Sequence, residues 1–529
     1  MQIVLVHGYF LKGTGSNIFV KNACKELCRM GHNVILFCQE NYGDEIDFVE
    51  SVFDFNEEND GLIEKHRKNT VYPGKCTLYR PNLNGLLPVF VYDKYSGYQV
   101  KAFTSCKEEE IEKYLEQNRK AIDFVVKGKE IDLVWSNHSI MQPVYVARSI
   151  LGKGKCTRMV TVHDSCLNFS VRKSELLKKY AMEAIDNNDR ISFVSKFSKN
   201  EFQEFFENNK GIEGKSVVIP AGVDLEVFVP LSNSNEKRKW IEDFLNDLDA
   251  SMRVEAASEN TEKSSWQTDM DIIDKIRTID FEKEKVILYY GKYLWTKGVH
   301  VLVAAAPIIM LKWPNARFVL VGYGSSRGYF EELIDALDTN QRDRFIHLLK
   351  QPEAFDLEIE EEATKFFDTF IEKLKNPEFA DAYFAIAEKK IKSTIIFTGF
   401  LKHEYLKTLI ACADVTVAPS VFPEAFGLVA VESLAAGVIP VQTNHSGFAE
   451  VIGKYVEEFS DLFDERKLEQ LCLNENLTLN IADCINELLE YYKEMDENEK
   501  QSMRERARKV SIDNYSWEAM VKKYLLLCR

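Results

Sequence analysis

Short apolar runs alternate with longer amphipathic stretches through most of this chain. In the first half the runs are Gln2 to His7, Asn33 to Cys38, Asp132 to Asn137, Arg158 to His163, Arg190 to Ser195 and Ser216 to Pro220, each followed by a segment of helical period. Runs of this kind read as buried parallel strands, and the amphipathic stretches as crossover helices. The alternation stops from about Pro230 to Phe281, where polar runs such as NSNEKRKW and ENTEKSSWQTDMD dominate. It resumes with Lys285 to Gly291, Ala316 to Gly322, Thr394 to Gly399, Asp414 to Pro419 and Val438 to Thr443. A charged segment of helical period between Leu349 and Lys392 interrupts this second series and predicts amphipathic helices packed on its side. Ser516 is a suitable N-cap for a last helix.

The pattern predicts an N-terminal doubly wound α/β domain over 1–225, a polar inserted linker over 226–283 and a C-terminal α/β domain over 284–505. The second domain carries the helical insertion at about 350–392, and a closing helix over 506–529 returns toward the N-terminal domain. Two such domains facing each other make a cleft, and ligands of these sheets bind beyond the carboxyl ends of the strands.

Composition narrows the function. The length of 529 residues exceeds what one core organises, and 45% hydrophobic with 12% aromatic residues is ordinary for globular proteins. A formal net charge of -16 argues against broad nucleic-acid binding. The 11 cysteines form no C-x-x-C pair, a usage that suits a reducing cytoplasm. The opening MQIVLVHGYF has no basic region before its apolar run and reads as a strand rather than a signal peptide. No stretch reaches the ~20 apolar residues a bilayer requires, so membrane contact is expected to be peripheral at most.

The segment Pro423-Glu424-Ala425-Phe426-Gly427-Leu428-Val429-Ala430-Val431-Glu432 carries the strongest chemical signal. It follows a predicted strand, with Glu424 in the loop, Gly427 at the turn and Glu432 inside the next helix. Backbone N–H groups at Phe426, Gly427 and Leu428 would favour an anionic or hydroxyl-rich ligand. Two carboxylates beside a diphosphate would repel it, so sugar hydroxyls are their sensible partners. Taken alone, Glu432 could simply complement the helix dipole, and Glu424 could be a solvated loop charge. A second junction, Gly291-Lys292-Tyr293-Leu294-Trp295-Thr296-Lys297-Gly298, places two lysines after another strand, where they could neutralise a departing diphosphate without a metal.

These segments, with Ala436-Gly437-Val438-Ile439-Pro440-Val441 and Ile219-Pro220-Ala221-Gly222-Val223-Asp224, resemble glycosyltransferase family 4, the group 1 retaining glycosyltransferases. Gly13-Thr14-Gly15, Gly31-His32-Asn33-Val34 and Tyr515-Ser516-Trp517-Glu518 extend the resemblance to both ends of the chain. It implies a GT-B fold of two facing Rossmann-like domains, a nucleotide-sugar donor held by the C-terminal domain, an acceptor held by the N-terminal one, and no metal cofactor. Carried over by position, Glu432 resembles the carboxylate on the donor ribose, and Glu424 the one near the transferred sugar. Lys292 and Lys297 resemble the basic pair on the diphosphate, although the family usually has arginine at the first. Gly15 and Gly13 resemble the glycine loop that approaches the phosphate, and Leu401 the position whose backbone meets the nucleobase. Ser446-Gly447 stands where the family often has two glycines. His163, at the end of a strand, resembles the histidine beside the donor sugar, and His138 is a weaker acceptor-side candidate.

Two D-x-D triplets, Asp247-Leu248-Asp249 and Asp269-Met270-Asp271, fall in the polar insertion and read as solvated charges remote from any strand end. Gly322-Tyr323-Gly324 follows a strand, and Gly322 is counted with the donor site, although its spacing to Gly328 misses a dinucleotide fingerprint. Neither insertion is expected to contribute to donor chemistry. The acceptor is open among a sugar, a sugar phosphate, a small molecule and a lipid-linked group. The rival functions are a sugar-nucleotide epimerase on the same fold, an NAD(P)-dependent oxidoreductase and a silent sugar-binding scaffold. Tyr92, Tyr95, Tyr98 and Phe103 read either as a sugar-stacking platform or as a packed hairpin. Arg172, Lys173, Lys178 and Lys179 read as a solvated helix face or an anion-binding one.

Overall fold

A computed structural model describes residues 1–13, 15–90, 95, 97–257, 268–350, 361–462 and 465–528. The chain divides into two compact units, Met1–Gly222 with Tyr515–Arg529, and Val223–Asn514.

The first unit contains β1 (Gln2–Val6), β2 (Asn33–Phe37), β3 (Val49–Phe55), β4 (Leu62–Arg67), β5 (Cys76–Arg80), β6 (Leu86–Val89), β7 (Gln99–Ala102), β8 (Leu133–Asn137), β9 (Thr157–Val162), β10 (Arg190–Phe193) and β11 (Ser216–Val218). Nine of them form one sheet in the order β11-β10-β9-β8-β1-β2-β5-β3-β4, parallel throughout except for the β3–β4 pair. Ile3, Val4, Leu5 and Val6 of β1 are fully buried, as expected of a central strand covered on both faces by crossover helices. Chain order reverses at β1, which lies between β2 and β8, and this makes a ligand crevice at the carboxyl ends of those strands.

All six strand runs expected in this half are present. The sequence reading missed β3, β4 and β5. Of these, β4 is the exposed edge, with Leu62, Glu64, Lys65 and Arg67 in solvent, so it carries no apolar pattern to detect. The hairpin alternative for FVYDKYSGYQVKAF is corrected: β6 and β7 pair in parallel, Leu86 opposite Gln99. Tyr92 lies outside the described residues. Phe103 is buried, and Tyr95 stacks on Phe10 at 4.7 Å.

The helix Trp517–Leu526 completes this unit. Ser516 caps it by accepting from the Ala519 amide. A Cβ on Gly222 would stand 2.5 Å from the Trp517 ring, so the glycine in Ala221-Gly222-Val223 is the space that this tryptophan needs. The Tyr524 ring packs tilted against Trp135 at 4.1 Å.

The second unit holds β12 (Lys285–Tyr290), β13 (Ala316–Val321), β14 (Ile395–Phe397), β15 (Val415–Ala418) and β16 (Pro440–Gln442), all parallel in the order β14-β13-β12-β15-β16. Each answers to an expected run. The order again reverses at its first strand, β12.

The insertion expected as a polar linker is a structural part of this unit. Its helix Lys237–Ala257 buries Ile241, Phe244, Leu245 and Leu248 and packs on the helix His403–Cys412. Lys237 Nζ donates to Asp414 Oδ1 at 3.1 Å, while Asp414 Oδ2 accepts from the Val286 amide at 2.8 Å. The apolar stripe was diluted in sequence by the charged positions of the opposite face. Within the second insertion, helix Pro377–Ala387 packs on helix Val299–Lys312, and Tyr383 donates to the Ala304 carbonyl at 2.9 Å.

Candidate active site

In the second unit the loops after β12 and β15 are stitched together. Gly298 has φ +73°, and a Cβ there would stand 1.7 Å from the Pro419 carbonyl, so only glycine allows the approach. Across that contact the Val421 amide donates to the Thr296 carbonyl at 2.9 Å, and Ser420 Oγ lies 2.9 Å from the same carbonyl. The stitching brings Lys297 to Glu424: Nζ donates to Oε1 at 2.5 Å, and Ser420 Oγ donates to the same oxygen at 2.7 Å. The Glu424 side chain is 17% exposed and the Lys297 side chain 34%, so both reach solvent at this strand end.

The loop after β16 holds Glu424 from behind. The Glu424 amide donates to Ser446 Oγ at 2.8 Å, and the Gly447 amide donates to the Glu424 carbonyl at 2.9 Å. His445 Nε2 lies 2.8 Å from the Ser420 carbonyl, which can only accept, so that nitrogen carries the proton. Ser446 Oγ then donates to Nδ1 at 3.0 Å. This neutral tautomer agrees with the lowering of the His445 pKa by burial, which the nearby Lys297 reinforces. A Cβ on Gly447 would lie 2.3 Å from the Ala425 carbonyl, whereas Ser446 accepts a left-handed φ of +48° in order to offer its hydroxyl. Ser420, His445 and Ser446 were missed as site residues. The signals available were their position directly after β15 and β16 and, for Ser446, its place where the resembling family often has glycine.

Glu432 has a different environment. It lies in the helix Leu428–Ala435, is 6% exposed, and burial raises its carboxyl pKa to about 8. The Tyr290 hydroxyl, which donates to the Val429 carbonyl, faces the carboxyl and partly offsets that rise. His403 Nε2 stands 3.6 Å from Glu432 Oε1. Gly427, at φ +116°, starts the helix, and a Cβ on it would stand 2.7 Å from the Phe448 ring. Phe426 is buried, and Leu428 is the first helical residue.

Lys292 lies on the β13 side of its loop, its Nζ 6.0 Å from the centre of the Tyr323 ring, and is not part of the Lys297–Glu424 contact. Gly322 answers a packing demand: a Cβ would lie 1.8 Å from the Gly291 carbonyl, and this accounts for the glycine without a ligand. Leu401 follows β14 with its side chain buried, 4% exposed. Asp269 is not remote from a strand end, contrary to the sequence expectation. Its amide donates to the Thr398 carbonyl at 2.9 Å just beyond β14, and its carboxylate pairs with Arg327.

In the first unit, His163 follows β9, and its Nε2 lies 3.0 Å from Asn137 Oδ1. Asn137 Nδ2 donates to the Val6 carbonyl at 3.3 Å, which turns Oδ1 toward the histidine and makes Nε2 the donor. Burial lowers the His163 pKa to about 3, so the ring is neutral. His138, 2% exposed, packs tilted at 5.0 Å from His163 and stacks at 5.7 Å on His7, which directly follows β1. His7 Nε2 lies 2.8 Å from Asn17 Oδ1, and Asn17 Nδ2 donates to the Lys12 carbonyl at 2.5 Å. Asn17 thereby ties the glycine loop to the strand end. Gly13 in that loop has φ +96°, and Gly15 opens the helix Gly15–Arg29. Glu40, beyond β2, is where a dinucleotide enzyme would place its ribose carboxylate, but it is 1% exposed and accepts from the Leu11 amide at 2.9 Å and the Tyr42 amide at 3.1 Å.

Two family profiles cover these elements. Glycosyltransferase Family 4 matches residues 13–227, and Glycosyl transferases group 1 matches residues 271–357 and 375–510. The chain belongs to the group 1 glycosyltransferases of family 4. Among curated relatives, it is 28% identical over 188 residues to a Methanocaldococcus jannaschii protein described as an uncharacterized glycosyltransferase, a match covering 36% of this chain and 34% of the relative. It is 22% identical over 337 residues to the Bacillus subtilis protein YtcC, covering 64% of this chain and 61% of that one. The chain thus spans about a third and three fifths of these relatives' lengths. Among solved structures, sucrose-phosphate synthase of Thermosynechococcus elongatus aligns with a TM-score of 0.52 at 16% identity over 99% of this chain and 98% of that one. Anabaena HepE in complex with UDP and glucose aligns with a TM-score of 0.51 at 14% identity over 99% and 98%. These likenesses establish the GT-B fold of this glycosyltransferase. Among the described residues, no helix is long and apolar enough to cross a membrane.

Proposed function

We propose that this glycosyltransferase transfers a sugar, with retention of anomeric configuration and without a metal, from a nucleoside diphosphate sugar to a hydroxyl acceptor. The observation that carries the reading is the Lys297–Glu424–Ser420 cluster at the carboxyl ends of β12 and β15. An ammonium there can neutralise the leaving diphosphate, and the carboxylate can hold hydroxyls of the transferred sugar. Lys292 contributes charge from the same loop, and the helix start at Gly427 and Leu428 adds backbone polarity. Glu432, buried and one helix turn further on, holds the ribose, and the backbone at Leu401 meets the base. Gly13 and Gly15 keep the loop beside His7 free of side chains, and neutral His163 hydrogen-bonds a hydroxyl of the transferred sugar.

In this reading the anomeric C–O bond to the diphosphate breaks while the acceptor oxygen bonds to the same face of the anomeric carbon. The acceptor proton passes to the departing phosphate oxygen. The protein supplies position and charge rather than a nucleophile. The binding of UDP by HepE makes uridine sugars the first donors to test. A hydrolysis screen over UDP-, GDP- and ADP-sugars, followed by an acceptor screen with the donor that is turned over, tests the reading. Nucleotide release that rises with an acceptor, giving a product of unchanged anomeric configuration by NMR, is expected. An inverted product, or epimerised donor without transfer, overturns it.

A further inference from the structure

Residues 268–277, at the end of the first insertion, run along the loop that follows β14. Thr268 forms an antiparallel bridge with Gly399. The Asp269 amide donates to the Thr398 carbonyl at 2.9 Å, and Thr268 Oγ1 donates to the Phe400 carbonyl at 2.8 Å. From the other side, the Gly322 amide donates to the Gly399 carbonyl at 2.9 Å. Lys275 Nζ donates to the Phe397 carbonyl at 3.3 Å. Four successive carbonyls, Phe397 to Phe400, are therefore occupied before Leu401 is reached.

The strap is itself locked. Arg327, at the start of helix Arg327–Asp338, donates through both terminal nitrogens to the two Asp269 oxygens, each at 2.7 Å. Its guanidinium lies 5.1 Å from the centre of the Phe397 ring, and the Asp269 side chain is only 14% exposed. A bidentate, partly buried pair stacked on an aromatic ring fixes direction as well as distance.

We propose that Asp269 and Arg327 are positioning residues that latch the strap onto the loop after β14 and so set the selectivity of this enzyme for the donor's nucleobase. The inference rests on the donor reading above, in which the backbone at Leu401 meets the base. A loop that reads a base with main-chain groups must be held in one conformation beforehand, because ordering it on binding would cost affinity for the matching base. The latch supplies that order from outside the loop it holds.

The test is calorimetric titration of the full chain with UDP, GDP and ADP, for wild type and Asp269→Asn, with melting temperatures of both. The expected result is a loss of about tenfold in affinity for the preferred nucleotide, a narrowed ratio among the three, and an unchanged kcat at saturating donor. Equal losses for all three nucleotides, or no loss, in a variant that melts like wild type overturns the latch. A wild-type chain that binds none of the three overturns the donor reading itself. Should Asp269→Asn fail to fold, Arg327→Lys keeps the charge and removes the fork, and the same ratio decides.

Discussion

Lys297 Nζ and Glu424 Oε1 lie 2.5 Å apart, joined across two loops that follow different strands. In the proposed reaction the lysine has two clients, this carboxylate and the leaving diphosphate, and it is pre-positioned by the first for the second. Lys297→Ala is expected to lower kcat by about 3 kcal/mol of transition-state stabilisation, the scale of a lost oxyanion donor. Glu424→Ala should also lower turnover, and the double variant should lose less than the sum, because both singles break one contact. Steady-state kinetics on the four proteins checks this, and strict additivity would refute the coupling.

His163 is held neutral and oriented by Asn137. His163→Ala is expected to lower kcat without moving the limbs of its pH profile between about pH 5 and 9, since burial holds the ring's own titration near 3. A wild-type limb that vanishes in the variant would show that the ring titrates in turnover.

The insertion helix tests a different link, from packing to stability. Phe244 is 3% exposed within the second unit, and Phe244→Ala is expected to cost about 3 kcal/mol in denaturant unfolding. Excising Ser232 to Asp280 would remove that helix, the Lys237–Asp414 pair and the strap over β14, so the shortened chain should melt well below wild type. A shortened chain that melts like wild type would contradict this placement.

Metal dependence bears on how the leaving group is neutralised. With Lys292 and Lys297 assigned to the diphosphate, activity is expected to survive excess EDTA, measured as initial rate. Asp269 and Asp271 are already paired, the first with Arg327 and Lys275, the second with Lys275. Inactivation by EDTA that magnesium or manganese restores would move the charge-neutralising role from the lysines to an ion.

The alternating runs disclosed the central strands of both sheets because those strands are buried on both faces, where periodicity and apolarity coincide. They could not disclose β4, whose residues face water, nor the parallel pairing of β6 and β7, which a period-2 pattern does not distinguish from an antiparallel one. Motif spacing brought Glu424, Lys297 and Glu432 forward, since the first two lie in loops just past a strand and the third inside the helix that follows. It could not foresee that Lys297 and Glu424 touch while Lys292 turns toward Tyr323, nor that Ser446 would hold the Glu424 amide. Those are contacts between segments distant in sequence. Asp269 was misread for the same reason: its strand-end partner, Thr398, is far along the chain, beyond two further strands and the second insertion.

The last prediction follows from the burial of Glu432. Its carboxyl pKa is about 8 in the free protein against 4.5 for an exposed glutamate, with Tyr290 and His403 the facing titratable groups. The folded state therefore holds the proton more tightly than the unfolded one. The stability this contributes is complete below pH 4.5, declines as pH rises, and is lost once pH passes about 8. Ribose hydroxyls donate to a carboxylate, so nucleotide binding favours the ionised form and must release a proton wherever the free protein still carries it. Affinity for the nucleoside diphosphate should rise with pH up to about 8 and then level, with proton release visible as a buffer-dependent calorimetric enthalpy at pH 7. Glu432→Gln cannot release that proton. It should bind more weakly with kcat less affected, because the ribose contact serves ground and transition states alike. Its affinity should also be nearly flat over the same pH range, and a variant that keeps the wild-type pH dependence would place the titrating group elsewhere.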